Sequence, residues 1–247
     1  SGGQGFLSVN QPGRKGQTAD QLFRCDMQTQ LSQGVTAVIA TPHFYANDES
    51  VESFLHRRQQ AMDTLRTQWR GDRPLILLGA EVRYYPGISR LERLRDLCIE
   101  DSNLLLLEMP MTRWTESMLR ELTELSGRDG ICIVLAHIDR YLSLQKREVW
   151  DRLLECGILM QTNASFFGAV TKRHRALAML RDGYIHLLGS DCHNMTSRPP
   201  QLGRALDAIA KRFGVDYIQQ MNEFGYSLLH LNHNETTITN QQSERKT

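Results

Sequence analysis

Short apolar runs rich in leucine and β-branched residues alternate along this chain with longer segments in which apolar residues recur every three or four positions. The runs are VTAVIAT (35–41), PLILLGA (74–80), NLLLLE (103–108), ICIVLA (131–136), ILMQTN (158–163) and IHLLGS (185–190). Unbroken apolarity over such lengths suits strands covered on both faces, as in a parallel sheet. A seventh strand is expected in GFLSV (5–9). Between the runs, Val51, Phe54, Leu55, Ala61, Met62, Leu65 and Trp69 make one helical stripe, and Met118, Leu119, Leu122 and Leu125 make another. Segments 145–156, 169–182 and 201–212 behave similarly. Strand and helix in alternation predict an α/β domain with mostly parallel strands, here a single domain over 1–228. The remaining residues, 229–247, are polar and aperiodic and read as a tail.

Composition narrows the partners. Lys+Arg number 29 against 28 Asp+Glu, a formal net charge of +1, so no global field recruits nucleic acid or an acidic membrane. The cysteines at 25, 98, 132, 156 and 192 are odd in number and scattered, unlike a secreted disulfide framework, and favour a reducing cytoplasm. No apolar run approaches the length of a membrane span, so no membrane insertion is expected.

Polar residues stand where the apolar runs stop. His43 follows the first run, Glu81 the second, Glu108 ends the third, His137 follows the fourth, Asn163 ends the fifth and Asp191 follows the sixth. In a parallel barrel the carboxyl ends of the strands share one face, so residues distant in sequence converge there. Two histidines, two glutamates and the Asp191-x-His193 pair form a mixed imidazole and carboxylate set suited to Mn, Fe or Zn. Arg140, three residues after His137, and Arg198, five after His193, are placed to hold a phosphate, for which a guanidinium fork is well matched. His56, His174, His230 and His233 sit in polar surroundings and read as solvated, and His186 lies within a strand run and reads as packed.

The segment GSDCHNMTSR (189–198) admits a second reading, because Cys192 and Arg198 have the Cys-x5-Arg spacing of a thiolate phosphatase loop. Such a loop needs small residues to turn its amides inward, and HNMTS has no glycine. The neighbouring Asp191 would also disfavour a thiolate.

ATPHF, LLGAEVRYYP, LLLEMP, LAHIDRY, QTNASFF and GSDCHN…SRPP, in this order, resemble the polymerase and histidinol phosphatase (PHP) superfamily. Within it they are most similar to the bacterial metal-dependent protein tyrosine phosphatases of capsule and exopolysaccharide gene clusters, over about residues 18 to 225. The resemblance implies a distorted (β/α)7 barrel with a multinuclear site, most often of manganese. It implies His43, Glu81, Glu108, His137, Asp191 and His193 as ligands and Arg140 and Arg198 as phosphate holders, with His43 and His193 also in the catalytic set. The implied substrate is the phosphotyrosine-bearing tail of a bacterial tyrosine autokinase that regulates polysaccharide synthesis. A homo-oligomer is compatible with it.

The chain departs from the family at its start. The family opens with an Asp-x-His-x-His strand and an Asp-Asp-Gly loop, whereas GQGFLSVNQPGRKGQTAD has no histidine and no acid before Asp20. Residues 1–17 are therefore atypical, and at least one ion site is expected to be weakened or empty. Two further readings follow: a catalytically impaired barrel serving as a binding or regulatory protein, and another PHP phosphoesterase such as a histidinol phosphatase.

Overall fold

A computed structural model describes residues 6–10, 35–68, 75–189 and 202–230. Within them strands and helices alternate as the apolar pattern requires. The strands are β1 (Phe6–Asn10), β2 (Val35–Ala40), β3 (His43–Phe44), β4 (Leu75–Leu78), β5 (Glu81–Arg83), β6 (Leu104–Glu108), β7 (Cys132–Leu135), β8 (Leu159–Asn163) and β9 (Leu187–Gly189). The helices are α1 (Val51–Gln68), α2 (Glu116–Ser126), α3 (Arg147–Glu155), α4 (Ser165–Gly168), α5 (Val170–Arg181), α6 (Leu202–Phe213) and α7 (Val215–Leu228).

Every strand pairing is parallel, in the orders β1-β2-β4 and β3-β5-β6-β7-β8-β9. The two orders are one sheet interrupted at Thr41-Pro42 and Gly79-Ala80. Pro42 has no N–H to donate, but its carbonyl accepts from the Glu81 amide at 3.0 Å, and the Ala40 carbonyl accepts from Gly79 at 2.9 Å. Hydrogen bonding therefore crosses the break, β2 with β3 and β4 with β5 each forming one bent strand. Gly79 eases the bend, since a Cβ there would come within 3.0 Å of Ile99 and 3.1 Å of Thr41, and both side chains would have to give way. The described strands thus fill seven positions, and the sheet curls until β9 lies against β1.

Alternation along each strand divides the core in two. Ile39, Leu77, Leu104, Leu106, Val134 and Ala136 cluster on one side, with Leu229 just past α7 packed among them. Val38, Val82, Leu105, Leu107, Ile133 and Leu135 face the other way, against Phe54 of α1, Leu119, Leu122 and Leu125 of α2 and Trp150 of α3. The first group fills the barrel interior and the second the space under the helices. Continuing the interior parity toward the carboxyl ends leads from Ile39 to His43, from Leu77 to Glu81 and from Leu106 to Glu108. The same two-residue step that packs the core aims these polar side chains into the barrel mouth.

Five helices occupy expected segments, with differences of detail. Ala61, assigned to the apolar stripe, is exposed on α1, while Val51, Phe54, Met62 and Leu65 are buried. Trp69 lies outside the described residues. The span after β5 forms two 3-10 turns, Ile88–Arg90 and Leu94–Leu97, which the Glu121 carboxylate of α2 helps fix by accepting from the amides of Gly87 (2.8 Å) and Ser89 (3.1 Å). Sequence periodicity missed α7, whose end delivers Leu229 to the interior. His186 lies just before β9, half-buried, its Nδ1 accepting from the Met160 amide at 3.0 Å.

Candidate metal centre

Register brings the first ligands together. His43 on β3 pairs with Glu81 on β5, and Arg83, two residues along, pairs with Glu108 at the end of β6. His137 comes two residues after β7 ends, where a regular strand would point it toward the helices. It instead has a left-handed backbone, φ 37°, uncommon for a residue with a Cβ, and this turns its ring into the mouth. The turn is held by Gln161 of β8, whose Oε1 accepts from the His137 amide at 2.6 Å. A Cβ at Gly189 would overlap the Gln161 amide, so glycine on β9 leaves the space Gln161 occupies.

Glu81 is the hub. Its Oε1 lies 3.6 Å from His43 Nδ1 and 3.3 Å from His137 Nε2, and Glu108 Oε1 is 3.5 Å from the same Nε2. Glu81, Glu108 and His137 are buried, and His43 is half-buried with its ring stacked on Tyr45 at 5.5 Å. Arg83 donates to the other Glu108 oxygen, Oε2, at 3.0 Å, which leaves Oε1 turned inward.

Three features of the chain fit a divalent cation. Donor atoms of His43, Glu81 and Glu108 all lie within 4.8 Å of one another. Two ligand atoms bound about 2.1 Å from one ion sit roughly 3.4 Å apart, close to the spacings found here. His43 Nδ1 is a buried nitrogen with no hydrogen-bond partner, a costly condition unless something binds its lone pair. Two carboxylates and two neutral imidazoles also carry the charge that balances a divalent ion.

Without an ion, a proton takes part of that role. Burial alone would push His137 down, but the carboxylates of Glu108 and Glu81 outweigh it and raise the imidazole to about 9. Burial alone would push Glu108 up, yet His137, Arg83 and His43 hold it down at about 2. A metal must therefore displace a proton from His137. Apparent affinity is expected to rise about tenfold per pH unit up to pH ~9 and level off above it, which a titration at stepped pH with proton-release calorimetry checks. The linkage in metal-free protein has the opposite sign. A histidine raised from 6.5 to about 9 contributes up to ~3 kcal/mol that is complete below pH ~6.5 and lost as pH rises through ~9.

Tyr141 orients His137. Its buried hydroxyl donates to the Met109 carbonyl at 2.9 Å, so its oxygen is left to accept from His137 Nδ1 at 3.3 Å. That places the imidazole proton on Nδ1 and leaves Nε2 as the ligand atom. Tyr141→Phe is expected to weaken metal binding about 10-fold to 100-fold while the chain stays folded, as competition against a chelating dye would read.

Arg140 closes the 3-10 turn Ile138–Arg140 that follows His137, half-buried at the edge of the site. Asp139 in the same turn accepts from Thr162 Oγ1 at 2.9 Å and from the Asn163 amide at 3.0 Å, tying the turn to the end of β8. The structure therefore brings together His43, Glu81, Glu108 and His137 with Arg140 beside them. Asp191, Cys192, His193 and Arg198 lie outside the described residues. Sequence reasoning missed Arg83, Tyr141 and Gln161. Arg83 was open to it by alternation from Glu81, whereas Tyr141 and Gln161 act only through hydrogen bonds that the tertiary fold creates.

Fold and site together define a parallel α/β barrel with a cluster of histidines and carboxylates at the carboxyl ends of its strands, of which His43, Glu81 and Glu108 could hold a metal ion. The chain belongs to the capsular polysaccharide synthesis CpsB/CapC family, whose model matches residues 20–224. It is 31% identical over 205 residues to the tyrosine-protein phosphatase CpsB of Streptococcus pneumoniae, covering 76% of this chain and 82% of that protein. To the tyrosine-protein phosphatase YwqE of Bacillus subtilis it is 28% identical over 213 residues, covering 81% and 80%. Its fold matches a solved chain from the crystal structures of YwqE from Bacillus subtilis and CpsB from Streptococcus pneumoniae, described as unique metal-dependent tyrosine phosphatases, with a TM-score of 0.70 and 22% identity, covering 83% of this chain and 85% of the matched one. The expected distorted barrel is thus the observed fold. Among the described residues no helix is long and apolar enough to cross a membrane.

Proposed function

We propose that this protein is a metal-dependent phosphomonoesterase that hydrolyses phosphotyrosine on the tail of a tyrosine autokinase controlling capsule or exopolysaccharide synthesis in the cytoplasm. The observation carrying this reading is the cluster of His43, Glu81, Glu108 and His137 joined through Glu81, in which the buried His43 Nδ1 has no hydrogen-bond partner. These four would hold manganese, with Fe and Zn as the other metals the donor set suits, and Asp191 and His193 would complete a multinuclear site. Bound ions would supply Lewis-acid stabilisation of the phosphoryl group and an acidified water.

The protein's own groups do the rest. Arg83 fixes Glu108 so that one oxygen faces the site, and Tyr141 fixes the ligand tautomer of His137. Arg140, with Arg198, would hold equatorial phosphoryl oxygens. A tyrosyl leaving group has a pKa near 10, so its departure depends more on charge neutralisation around phosphorus than on a strong proton donor.

The test compares Mn²⁺-dependent phosphate release from a phosphotyrosine peptide and from histidinol phosphate, in the parent chain and Cys192→Ser. Turnover of the peptide, abolished by EDTA and unchanged within about twofold by Cys192→Ser, supports the reading. Preference for histidinol phosphate, or loss of turnover in Cys192→Ser without metal dependence, overturns it. A second reading, a phosphoprotein-binding barrel without turnover, draws on β1, whose sequence FLSVN offers neither histidine nor acid where the family places ligands. Tight peptide binding with no turnover at any metal concentration would select it.

A further inference from the structure

Beside the metal centre, beyond the wall formed by Asp139, a cleft of about 360 Å³ opens between α4, the start of α5 and the start of α6. Its size is within the range of ligand pockets, roughly 300–1,000 Å³. Lys172 and Arg204 line it together with Ser165. Both cations are exposed, and neither forms an ion pair among the described residues. Neighbouring Arg173 is spent on structure, donating to the carbonyls of Phe167 at 2.9 Å and Gly168 at 3.1 Å.

The cleft and the metal centre are held in one frame. Asp139 lies two residues after His137, and its Oδ1 is occupied by Thr162 Oγ1 and the Asn163 amide, so that oxygen is committed to the wall. Packing of α4 and α5 on α6 keeps Lys172 and Arg204 on the same opening. Two cations lining one opening, with no carboxylate partner among the described residues, favour an anion, and an extended peptide whose phosphotyrosine reaches the metal centre would carry a neighbouring side chain over this cleft.

We propose that the Lys172–Arg204 cleft is a second anion subsite, which binds an acidic or phosphorylated side chain adjacent to the phosphotyrosine being hydrolysed. The proposal rests on the phosphatase reading and adds a substrate class to it: peptides with clustered negative charge. A binding measurement keeps the two separable.

Three labelled peptides share one core in which the target residue is a non-hydrolysable phosphonodifluoromethyl-phenylalanine. One has neutral neighbours, one has glutamates, and one has a second phosphonate residue. Their Kd values are measured by fluorescence anisotropy on the Mn²⁺-loaded full chain at physiological ionic strength, for the parent, Lys172→Glu and Arg204→Glu. The expected result is roughly threefold to fivefold tighter binding of the charged peptides than the neutral one, lost in either variant. The stronger of the two charged peptides identifies the anion as carboxylate or phosphate. Equal Kd values for all three on the parent, or unchanged ratios in both folded variants, overturn the subsite. The phosphatase reading fails on a different readout, absent turnover of the matching phosphotyrosine peptide while the charge preference persists. Failure of all three peptides to bind removes both.

Discussion

Glu81→Gln is expected to lower metal affinity by more than 100-fold and to bring phosphotyrosine turnover to the level of EDTA-treated protein. The size follows from position. Replacing a residue that only orients a ligand costs about 10-fold to 100-fold, and Glu81 contacts two of the other donors directly through one oxygen, at 3.6 Å and 3.3 Å. Glutamine keeps the shape but removes the charge that balances the ion, and its amide nitrogen is no metal ligand. In metal-free protein the change also takes one of two carboxylates from the protonated His137, which breaks a buried charge pair. Calorimetric titration with Mn²⁺, beside turnover of the same preparations, checks it. Affinity within threefold of the parent would mean that the ion is held elsewhere.

The second large effect is a gain. β1 occupies the seventh strand position, hydrogen-bonded to β2 from Phe6 to Asn10, yet its sequence carries no metal ligand. Rewriting this strand to an Asp-x-His-x-His pattern is expected to add about one equivalent of bound metal and raise turnover about 10-fold to 100-fold. Because a one-residue shift moves every side chain to the opposite face, the pattern is built in both of its phases, and only one is expected to act. Metal content by elemental analysis together with steady-state turnover reads the result. Equal metal content and equal turnover in the parent and in both rewritten chains would show that the site needs nothing from β1.

Much of this was legible in sequence because two periodicities coincide. Leucine and β-branched runs marked the strands, and counting forward by two from the interior residues Ile39, Leu77 and Leu106 reaches His43, Glu81 and Glu108. His137 breaks that count. Its position was visible from the end of β7, but its left-handed backbone and its dependence on Gln161 and Tyr141 belong to contacts among three different elements. The helix α7 escaped notice because its apolar residues are interleaved with glutamine and asparagine, and its role in closing the interior emerges only through Leu229 beyond its end. Lys172 stood in a basic run that reads as solvated surface. Only packing of α4 and α5 against α6 sets it across a cleft from Arg204.

We propose that His43, Glu81, Glu108 and His137 hold the catalytic metal. Crystals grown with Mn²⁺ and measured at the manganese absorption edge test it most directly. Anomalous peaks are expected about 2.0–2.3 Å from His43 and the carboxylates of Glu81 and Glu108, and from His137 Nε2 where it faces the same carboxylates. An empty site between these residues at saturating Mn²⁺, or a peak bound only by other side chains, would contradict it.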